Sequence, residues 1–193
     1  MLSKHRSRVR TADQAVDELG QLLLREQSME DALQEVVDSA KRVLPGDLET
    51  SVSVLFQDFP TTVVYTDQLA VQCDESQYAH GDGPCMHAAS SGQLTEVVDA
   101  QAETRWRDYA QEAAERGALS SLSVPLPISA KGVTAALNIY ARSPNAFDEE
   151  TRSVATRFAP LAATAVTKMQ AFKDAQKVAE AWPIRTVGPD PHS

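Results

Sequence analysis

The sequence predicts an α+β fold, in which an antiparallel sheet of about five to six strands carries the N- and C-terminal helices on one face and the middle segment on the other. Three observations predict it. Apolar residues recur every three to four positions at both ends of the chain, strand-like alternation fills the middle, and turn residues separate the segments. The 193 residues, of which 42% are apolar and 23% charged, suit one globular domain with additional helices.

Two helices are predicted near the start of the chain and one near its end. The first spans residues 11–26, and the second begins after Ser28, whose side chain can cap it, and ends at Pro45. The last helix begins after Asp148, another residue type that caps helices well, and extends toward Trp182. Each helix has an apolar stripe that can cover a sheet face.

The middle of the chain alternates between strand and helix patterns, with β-branched runs bounded by turn residues. Five strands are predicted, at residues 51–56, 61–65, 94–98, 119–128 and 133–141. Three shorter helices are predicted at residues 68–78, 84–89 and 105–116. Together these segments predict one folded domain with less ordered ends. We expect a basic flexible arm at 1–10, a folded domain at 11–182 with its core at 28–169 and flanking helices at 11–26 and 149–182, and a disordered tail at 183–193.

Charge and hydropathy exclude several classes of protein. The net charge is -9, from 18 basic and 27 acidic residues, which disfavours direct binding of the chain to nucleic acid. No segment approaches the ~20 consecutive apolar residues of a membrane helix, and the first residues lack the apolar core of a signal peptide. We therefore expect a cytoplasmic protein that has no membrane partner, with Cys73 and Cys85 as free thiols.

Three short motifs carry a family resemblance. Residues 77–88 read Gln-Tyr-Ala-His-Gly-Asp-Gly-Pro-Cys-Met-His-Ala, residues 122–126 read Leu-Ser-Val-Pro-Leu, and residues 136–140 read Ala-Leu-Asn-Ile-Tyr, ahead of Phe147 and Asp148. The combination resembles the GAF domains of actinobacterial GAF-ANTAR regulators over about residues 28–169. The resemblance implies a sensory domain whose sheet and middle segment enclose a ligand pocket, and which often dimerises through its first and last helices.

Two departures from the related families matter. In GAF-ANTAR regulators the last helix leads into an RNA-binding ANTAR domain, but too few residues follow Phe172 to form one, so we expect that output domain to be absent from this chain. Cyclic-nucleotide-binding GAF domains use a lysine in an Asn-Lys-Phe-Asp-Glu motif, and Ala146 stands at that position here. We therefore expect Asp148 to cap a helix rather than to serve nucleotide binding.

The cysteines and histidines raise two other hypotheses. Cys73, His80, Cys85 and His87 are residue types that bind zinc, but their spacing matches no common zinc motif. Cys85 at a helix start would have a lowered pKa and serve as a nucleophile, as in the free methionine sulfoxide reductases, which share the GAF fold. A further cysteine that this resemblance implies before Leu122 is missing. We expect no catalytic residue, metal or cofactor, and keep a reductase-like enzyme as an alternative.

Strand alternation places polar side chains on one sheet face. Ser121 and Ser123 point away from Leu122, and Asn138 and Tyr140 do the same on the neighbouring strand. In a GAF-like arrangement this face meets the middle segment, whose aromatic and sulfur side chains form the walls of a pocket. The alternative is solid packing, with the aromatic residues as core anchors. The predicted ligand-binding residues are Tyr78, Cys85, Met86, Trp106, Tyr109, Ser121, Ser123, Asn138 and Tyr140.

We therefore expect a small-molecule-sensing GAF domain that acts in signal transduction or in antitermination-type transcriptional regulation, with output through the terminal helices. The first and last helices carry more apolar residues than one sheet face can cover, notably Leu22, Leu23, Met169 and Phe172. This excess predicts a homodimer through these helices. The expected partners are an unidentified small molecule and a second copy of the chain. The alternative is a structural dimerisation module whose pocket its own side chains fill.

Overall fold

The computed structural model describes residues 2–25 and 28–181 of the chain. The helices and strands in this part confirm the predicted α+β class. Their order is α1 (Leu2–Leu23), α2 (Met29–Val43), β1 (Leu48–Phe56), β2 (Phe59–Tyr65), α3 (Gln68–His80), α4 (Pro84–Ser91), β3 (Thr95–Val97), α5 (Arg107–Glu115), β4 (Ser120–Pro125), β5 (Val133–Ala141) and α6 (Glu149–Ala181).

The strands form one antiparallel sheet in the order β2-β1-β5-β4-β3. β1 and β5 pair along their whole length, starting with Leu48 opposite Ala141. The hairpin between β1 and β2 turns at Gln57 and Asp58, whose φ angles of 49° and 68° are the left-handed values that a tight hairpin requires. β5 therefore lies in the middle of the sheet, where its side chains reach the layers on both sides.

Alternation along the strands separates the two faces as predicted. On β5, Leu137 and Ile139 belong to the main apolar core, whereas Tyr140 belongs to a second cluster on the opposite face. α1, α2 and α6 cover the main core, to which α2 contributes Leu33 and α6 contributes Phe158, both fully buried. Burying side chains of this size stabilises the fold by ~1.5–3 kcal/mol each.

Side-chain caps define where α2 and α6 begin. The Oγ of Ser28 accepts a hydrogen bond from the N–H of Asp31 at 3.5 Å. At the start of α6, Oδ1 of Asp148 accepts the N–H of Thr151 at 2.7 Å. Each cap satisfies a backbone donor that the helix itself leaves unpaired. Both caps were predicted from the sequence, and Asp148 acts as the helix cap that its motif indicates.

α1 and α6 lie side by side and run in the same direction. Asp13 pairs with Arg157 at 2.5 Å, and Nζ of Lys168 donates to the carbonyl oxygen of Leu23 at 2.8 Å. The residue numbers rise together along the two helices, which is the order that parallel helices give. α6 continues past the end of α1, and its residues 173–178 are exposed.

The opposite face of the sheet is covered by α3, α4 and α5. The second apolar cluster joins Leu69 of α3 and Tyr109 of α5 to Tyr140 of β5. A third, smaller cluster packs Ala88 of α4 against Ala136 of β5. The segment between β2 and β4 therefore covers the polar face of the sheet, as the sequence predicts for the middle segment.

Two sequence-based expectations about the terminal helices need correction. The first helix begins at Leu2 instead of residue 11, because polar residues extend a helix without adding to the apolar stripe on which the prediction rests. Residues 2–10, predicted as a flexible arm, therefore continue α1. The second expectation assigns Leu22, Leu23 and Met169 to a dimer interface. Leu23 is buried in the main core, and Leu22 and Met169 pack against it, so these side chains pack within the domain itself.

Some predictions fall on parts of the chain that are not described. They concern the side chain of Phe172, the helix end at Trp182 and the tail at 183–193. Within residues 2–25 and 28–181, no helix combines the length and the apolarity needed to cross a bilayer.

Candidate ligand site

Six polar side chains form a buried layer on the sheet face that α3, α4 and α5 cover. They come from three adjacent strands, because every second residue of a strand points to the same face. The register aligns Ser51, Asn138 and Ser123 in one row across β1, β5 and β4. We call the set the polar layer, and all its members are at most 3% exposed: Ser51, Ser53, Ser121, Ser123, Asn138 and Tyr140.

Asp74 on α3 places a fully buried carboxyl group against the polar layer. Its oxygens accept hydrogen bonds from the Tyr140 hydroxyl, from Nδ2 of Asn138 at 3.1 Å and from the Thr62 hydroxyl at 2.8 Å. Among the described residues, no basic side chain forms an ion pair with Asp74. Neutral donors alone therefore stabilise this carboxylate, which would otherwise be costly to bury.

The carboxylate sets the direction of the hydrogen bonds around it, because a carboxylate can only accept. Thr62 donates to Asp74, so its oxygen accepts from the Tyr78 hydroxyl at 3.0 Å. Tyr78 in turn lies 2.6 Å from Oγ of Ser53, which accepts from Nδ2 of Asn138 at 2.9 Å. Nδ2 of Asn138 faces Asp74, so the amide oxygen Oδ1 must point the other way.

Gln77, one helical turn after Asp74, ties the start of α4 to the same network. Its Oε1 accepts the N–H of Cys85 at 2.8 Å, a donor at the start of α4, which lacks a cap from its own N-cap residue. Its Nε2 donates to the Tyr140 hydroxyl at 3.0 Å. The chain passes so close to Gln77 at Gly83 that a Cβ there would lie 2.4 Å from Oε1.

Burial determines the protonation of the acidic groups at the site. It raises the pKa of Asp74 to about 6, although hydrogen bonds from Tyr140 and its neighbours favour the ionised form. Burial, followed by the negative charge of Asp74, raises the pKa of Cys73 to about 12 and that of Cys85 well above its usual value. The expectation of a lowered pKa at Cys85 is therefore wrong, because burial outweighs the helix N-terminus. Both thiols are protonated at neutral pH.

Three polar atoms of the layer have no hydrogen-bond partner among the described residues: Oγ of Ser121, Oγ of Ser123 and Oδ1 of Asn138. Ser121 lies near Tyr109. Burial raises the pKa of Tyr109, and the Ser121 hydroxyl acts to lower it. The contact between the two side chains nevertheless falls outside normal hydrogen-bond geometry. Ser123 and Asn138 lie directly opposite each other on β4 and β5. A buried polar group without a hydrogen bond costs ~1–3 kcal/mol, so this pair is a poorly satisfied part of the layer.

Seven of the nine predicted ligand-binding residues meet at this site: Tyr78, Cys85, Tyr109, Ser121, Ser123, Asn138 and Tyr140. Met86 and Trp106 lie at its edge. Met86 packs beside the small cluster under α4, and the half-buried Trp106 ring lies 5.7 Å from the ring of His87 and 4.5 Å from the Arg105 guanidinium. A role of these residues in ligand binding stays a prediction.

Sequence reasoning missed five residues of the network: Ser51, Ser53, Thr62, Asp74 and Gln77. Two signals point to them. Ser51 and Ser53 alternate with valines just as Ser121 and Ser123 alternate with apolar residues. Asp74 and Gln77 share one helical stripe with the buried Ala70. Polar residues on a stripe that faces the sheet indicate a network instead of a simple apolar core.

Two surface grooves lie away from the polar layer. One of about 580 Å³ lies between α5 and the loop before it and includes Glu103, Arg107 and Gln111. Another of about 390 Å³ lies between α1 and α2, beside Leu19 and Asp31. None of the nine predicted residues lines either groove. The residues of the polar layer are at most 3% exposed, so the layer is closed to solvent in this structure.

The cysteines and histidines considered as zinc ligands lie apart. Cys73 and Cys85 are buried, whereas His80 contacts Glu112 at 3.1 Å near the surface and His87 contacts Trp106. No group of three or more His, Cys, Asp or Glu side chains suited to a metal ion occurs among the described residues.

Solved structures of other proteins share this fold. The GAF domain of a phosphoenolpyruvate-protein phosphotransferase from Coxiella burnetii superposes with a TM-score of 0.64 at 16% identity, covering 86% of this chain and 98% of that one. A protein described as a GAF sensor from Burkholderia vietnamiensis gives 0.61 at 15% identity, covering 86% and 94%. A free methionine-R-sulfoxide reductase from Neisseria meningitidis gives 0.61 at 14% identity, covering 83% and 91%. These similarities establish the fold.

No curated protein matches the sequence. The sequence profile of one family, described as the GAF domain, matches residues 26–167. That range contains every strand of the sheet and every residue of the polar layer. With the profile, the sheet topology and the superposed structures in agreement, this chain belongs to the GAF domain family.

Proposed function

We propose that this chain is a small-molecule-sensing domain without catalytic activity, in which a ligand bound at the polar layer alters the terminal helices. One observation carries the proposal. Ser123 Oγ and Asn138 Oδ1 are fully enclosed, adjacent and unbonded. A protein core normally pairs such groups, and unpaired ones concentrate where a ligand or a bound water completes the bonding.

The strands that carry these atoms also contact the helical layer. Ser123 alternates with Leu122 on β4, and Asn138 alternates with Leu137 on β5, and both leucines pack in the same core as Phe158 of α6. A shift of β4 or β5 on ligand binding would therefore move side chains that support α6. Packed cores transmit such shifts because they have few voids to absorb them.

A non-catalytic role is supported by the state of the two cysteines. A thiol reacts as its thiolate, and the pKa values of Cys73 and Cys85 are both raised by burial. A reductase of the methionine sulfoxide type needs a reactive cysteine that a substrate can reach. Both cysteines of this chain are fully buried, which favours a binding role over that chemistry.

We also propose that the chain acts as a homodimer through its terminal helices. The exposed residues 173–178 of α6 extend beyond α1, and Val178 is 67% exposed. Leu24, just after α1, is 85% exposed. A helical segment of this length without packing is marginal in water, so a second copy of the chain would stabilise it.

The motif resemblance to GAF-ANTAR regulators supports a role in signal transduction or antitermination-type transcriptional regulation. Since the net charge is -9, we propose that the chain affects nucleic acid through a partner rather than by direct contact. The proposed partners are therefore a small molecule, a second copy of the chain and an output protein, in the cytoplasm.

Native mass spectrometry of the protein purified from its own host tests the ligand and the dimer together. The expected result is a dimer that carries one small molecule per chain. Replacing Ser123 by Leu is expected to abolish the additional mass of the bound small molecule, whereas the same substitution at the exposed Ser90 should leave it in place. Circular dichroism checks that both variants fold.

Two outcomes would contradict the proposal. A dimer of bare chains would favour the structural dimerisation module, with the polar layer filled by its own side chains and by water. Monomers at micromolar concentration would exclude the dimer. Replacing the exposed Val178 by Glu is expected to weaken the dimer, and Gln176→Glu, at an exposed neighbour, serves as the matched control because it adds the same single negative charge.

A further inference from the structure

We infer that the ligand of the polar layer is a small molecule that presents an N–H or O–H donor and carries no negative charge, and that it bonds Oδ1 of Asn138 and Oγ of Ser123. This inference rests on the proposed function, since it names the chemistry of the molecule sensed at that site. Three observations support it: the polar atoms that lack a hydrogen bond, the charge that lies near them, and the short distance between the two side chains.

The need for a donor follows from Asn138. Its Nδ2 is held by three acceptors, namely Asp74 at 3.1 Å, Ser53 at 2.9 Å and Ser51 at 3.3 Å. Flipping the amide would place Oδ1 against the carboxylate, which repels it. Oδ1 is therefore the group that stays unmet, and as a carbonyl oxygen it can only accept. A ligand that satisfies it must donate.

The hydroxyl of Ser123 accepts or donates, so it adjusts to the ligand. Its neighbour across the other strand, Thr95, already donates to the carbonyl of Gln93 at 3.0 Å. Ser123 thus has no competing bond within the described structure. The pair Asn138 and Ser123 suits a group such as a primary amide, which donates through nitrogen and accepts through oxygen.

The charge requirement follows from Asp74. Its carboxyl bonds directly to Asn138, and no described basic side chain pairs with it. The other groups that face it are uncharged hydroxyls and thiols from α3, α4, β1, β2 and β5. A second anion here would meet this carboxylate in a region of low dielectric constant, where like charges repel strongly.

The size limit follows from the strand geometry. Ser123 and Asn138 are cross-strand partners, whose Cβ atoms lie ~4.5–5.5 Å apart in antiparallel sheets. Both side chains are at most 1% exposed under the covering helices. A group of few non-hydrogen atoms therefore reaches both polar atoms at once.

Three probes of nearly equal size test the inference. Acetamide donates and is neutral, acetone only accepts, and acetate is anionic. Each is titrated into the ¹⁵N-labelled full chain, and the side-chain amide signal of Asn138 and the backbone amide of Ser123 are followed by NMR. Acetamide is expected to shift both signals with a dissociation constant at least about tenfold below those of acetone and acetate, because only acetamide satisfies Oδ1 without adding charge.

Variants decide whether the shifts arise at this site. Ser123→Ala is expected to weaken acetamide binding at least threefold, because it removes one of the two bonds. Ser39→Ala, at a buried serine on the opposite side of the sheet, is the matched control and should leave the dissociation constant unchanged.

The outcomes separate the two proposals. Equal or tighter binding of acetate or acetone at Asn138 would overturn the inferred chemistry and leave the sensing site in place. If no probe shifts Asn138 or Ser123, the inference is overturned as well. The sensing proposal then depends on native mass spectrometry, where a bound anion or a molecule without donors would support sensing alone, and bare chains would overturn both.

Discussion

Ser123 and Asn138 lie opposite each other on β4 and β5, and yet neither Ser123 Oγ nor Asn138 Oδ1 has a hydrogen-bond partner in the described structure. The residues on either side of this pair are bonded. Ser51 receives a bond from Asn138, and Thr95 donates to Gln93. The two atoms without a bond therefore lie between residues whose side chains are bonded.

Replacing Ser123 by Ala is expected to leave the free energy of unfolding within ~0.5 kcal/mol of the parent or to raise it, because the hydroxyl has no bond to lose. Ser53→Ala is the matched control, since Ser53 is equally buried but contacts Tyr78 and Asn138. It is expected to cost ~1–3 kcal/mol. Urea unfolding of the ligand-free proteins measures both, and equal losses would mean that Ser123 is bonded after all.

Asp74 is expected to make stability depend on pH. Its pKa is about 6 in the folded chain, raised by burial from an ordinary value near 3.8, so the folded state holds the proton more tightly. This contribution to stability is present below about pH 4 and is lost as the pH rises to about 6. Relative to Asp74→Asn, the parent should therefore lose up to roughly 3 kcal/mol between pH 4 and pH 7.

Comparing the two proteins isolates Asp74, because other carboxyl groups titrate in both. Glu112 is the main example, since hydrogen bonds from Ser76, His80 and Arg116 lower its pKa to about 2. Urea unfolding at intervals of half a pH unit gives the difference curve. A flat difference would mean that Asp74 titrates near its ordinary pKa and that the network solvates its charge as well as water does.

Gly83→Ala is expected to destabilise the chain by ~1–3 kcal/mol, because the new Cβ would overlap the Gln77 side chain and displace it from the start of α4. The control is Gly20→Ala within α1, where no atom lies within 4 Å of the added Cβ. Alanine favours helix there and should add ~0.5–1 kcal/mol. Thermal unfolding ranks the two, and a harmless Gly83→Ala would show that Gln77 can move freely.

Both cysteines are expected to resist modification in the folded chain. Cys73 and Cys85 are fully buried, and burial raises the pKa of each. Reaction with a disulfide reagent at pH 8 should proceed only as fast as the protein opens, and in denaturant both thiols should react at once. Cys85→Ala, which leaves one thiol, assigns the rates. Rapid labelling of Cys85 in native protein would support the enzyme alternative instead.

The sequence predicted the fold well because each element has a local signal. Alternation placed Ser121 and Asn138 on the correct face, and the caps at Ser28 and Asp148 fixed two helix starts. The start of α1 was missed because residues 2–10 add no apolar periodicity. A boundary of this kind depends on helix propensity alone, which is a weaker signal.

The site was predicted only in part, because its centre depends on contacts between distant segments. Asp74 approaches Asn138 across 64 positions of the chain. Nothing near Asp74 in sequence indicates that its partner is an asparagine on the last strand. The prediction of a lowered pKa for Cys85 failed for a related reason. The sequence shows that Cys85 lies at the start of a helix, but it does not show which distant segments bury the thiol.

The two ties between α1 and α6 limit how α6 can move. Arg157 and Lys168 are about three turns apart on α6, so both ties start from the same side of that helix. Between them, Phe158, Ala162 and Val166 are buried in the main core, which holds this stretch of α6 in place. A change in the direction of α6 is therefore least costly beyond Lys168, in the exposed residues 173–178.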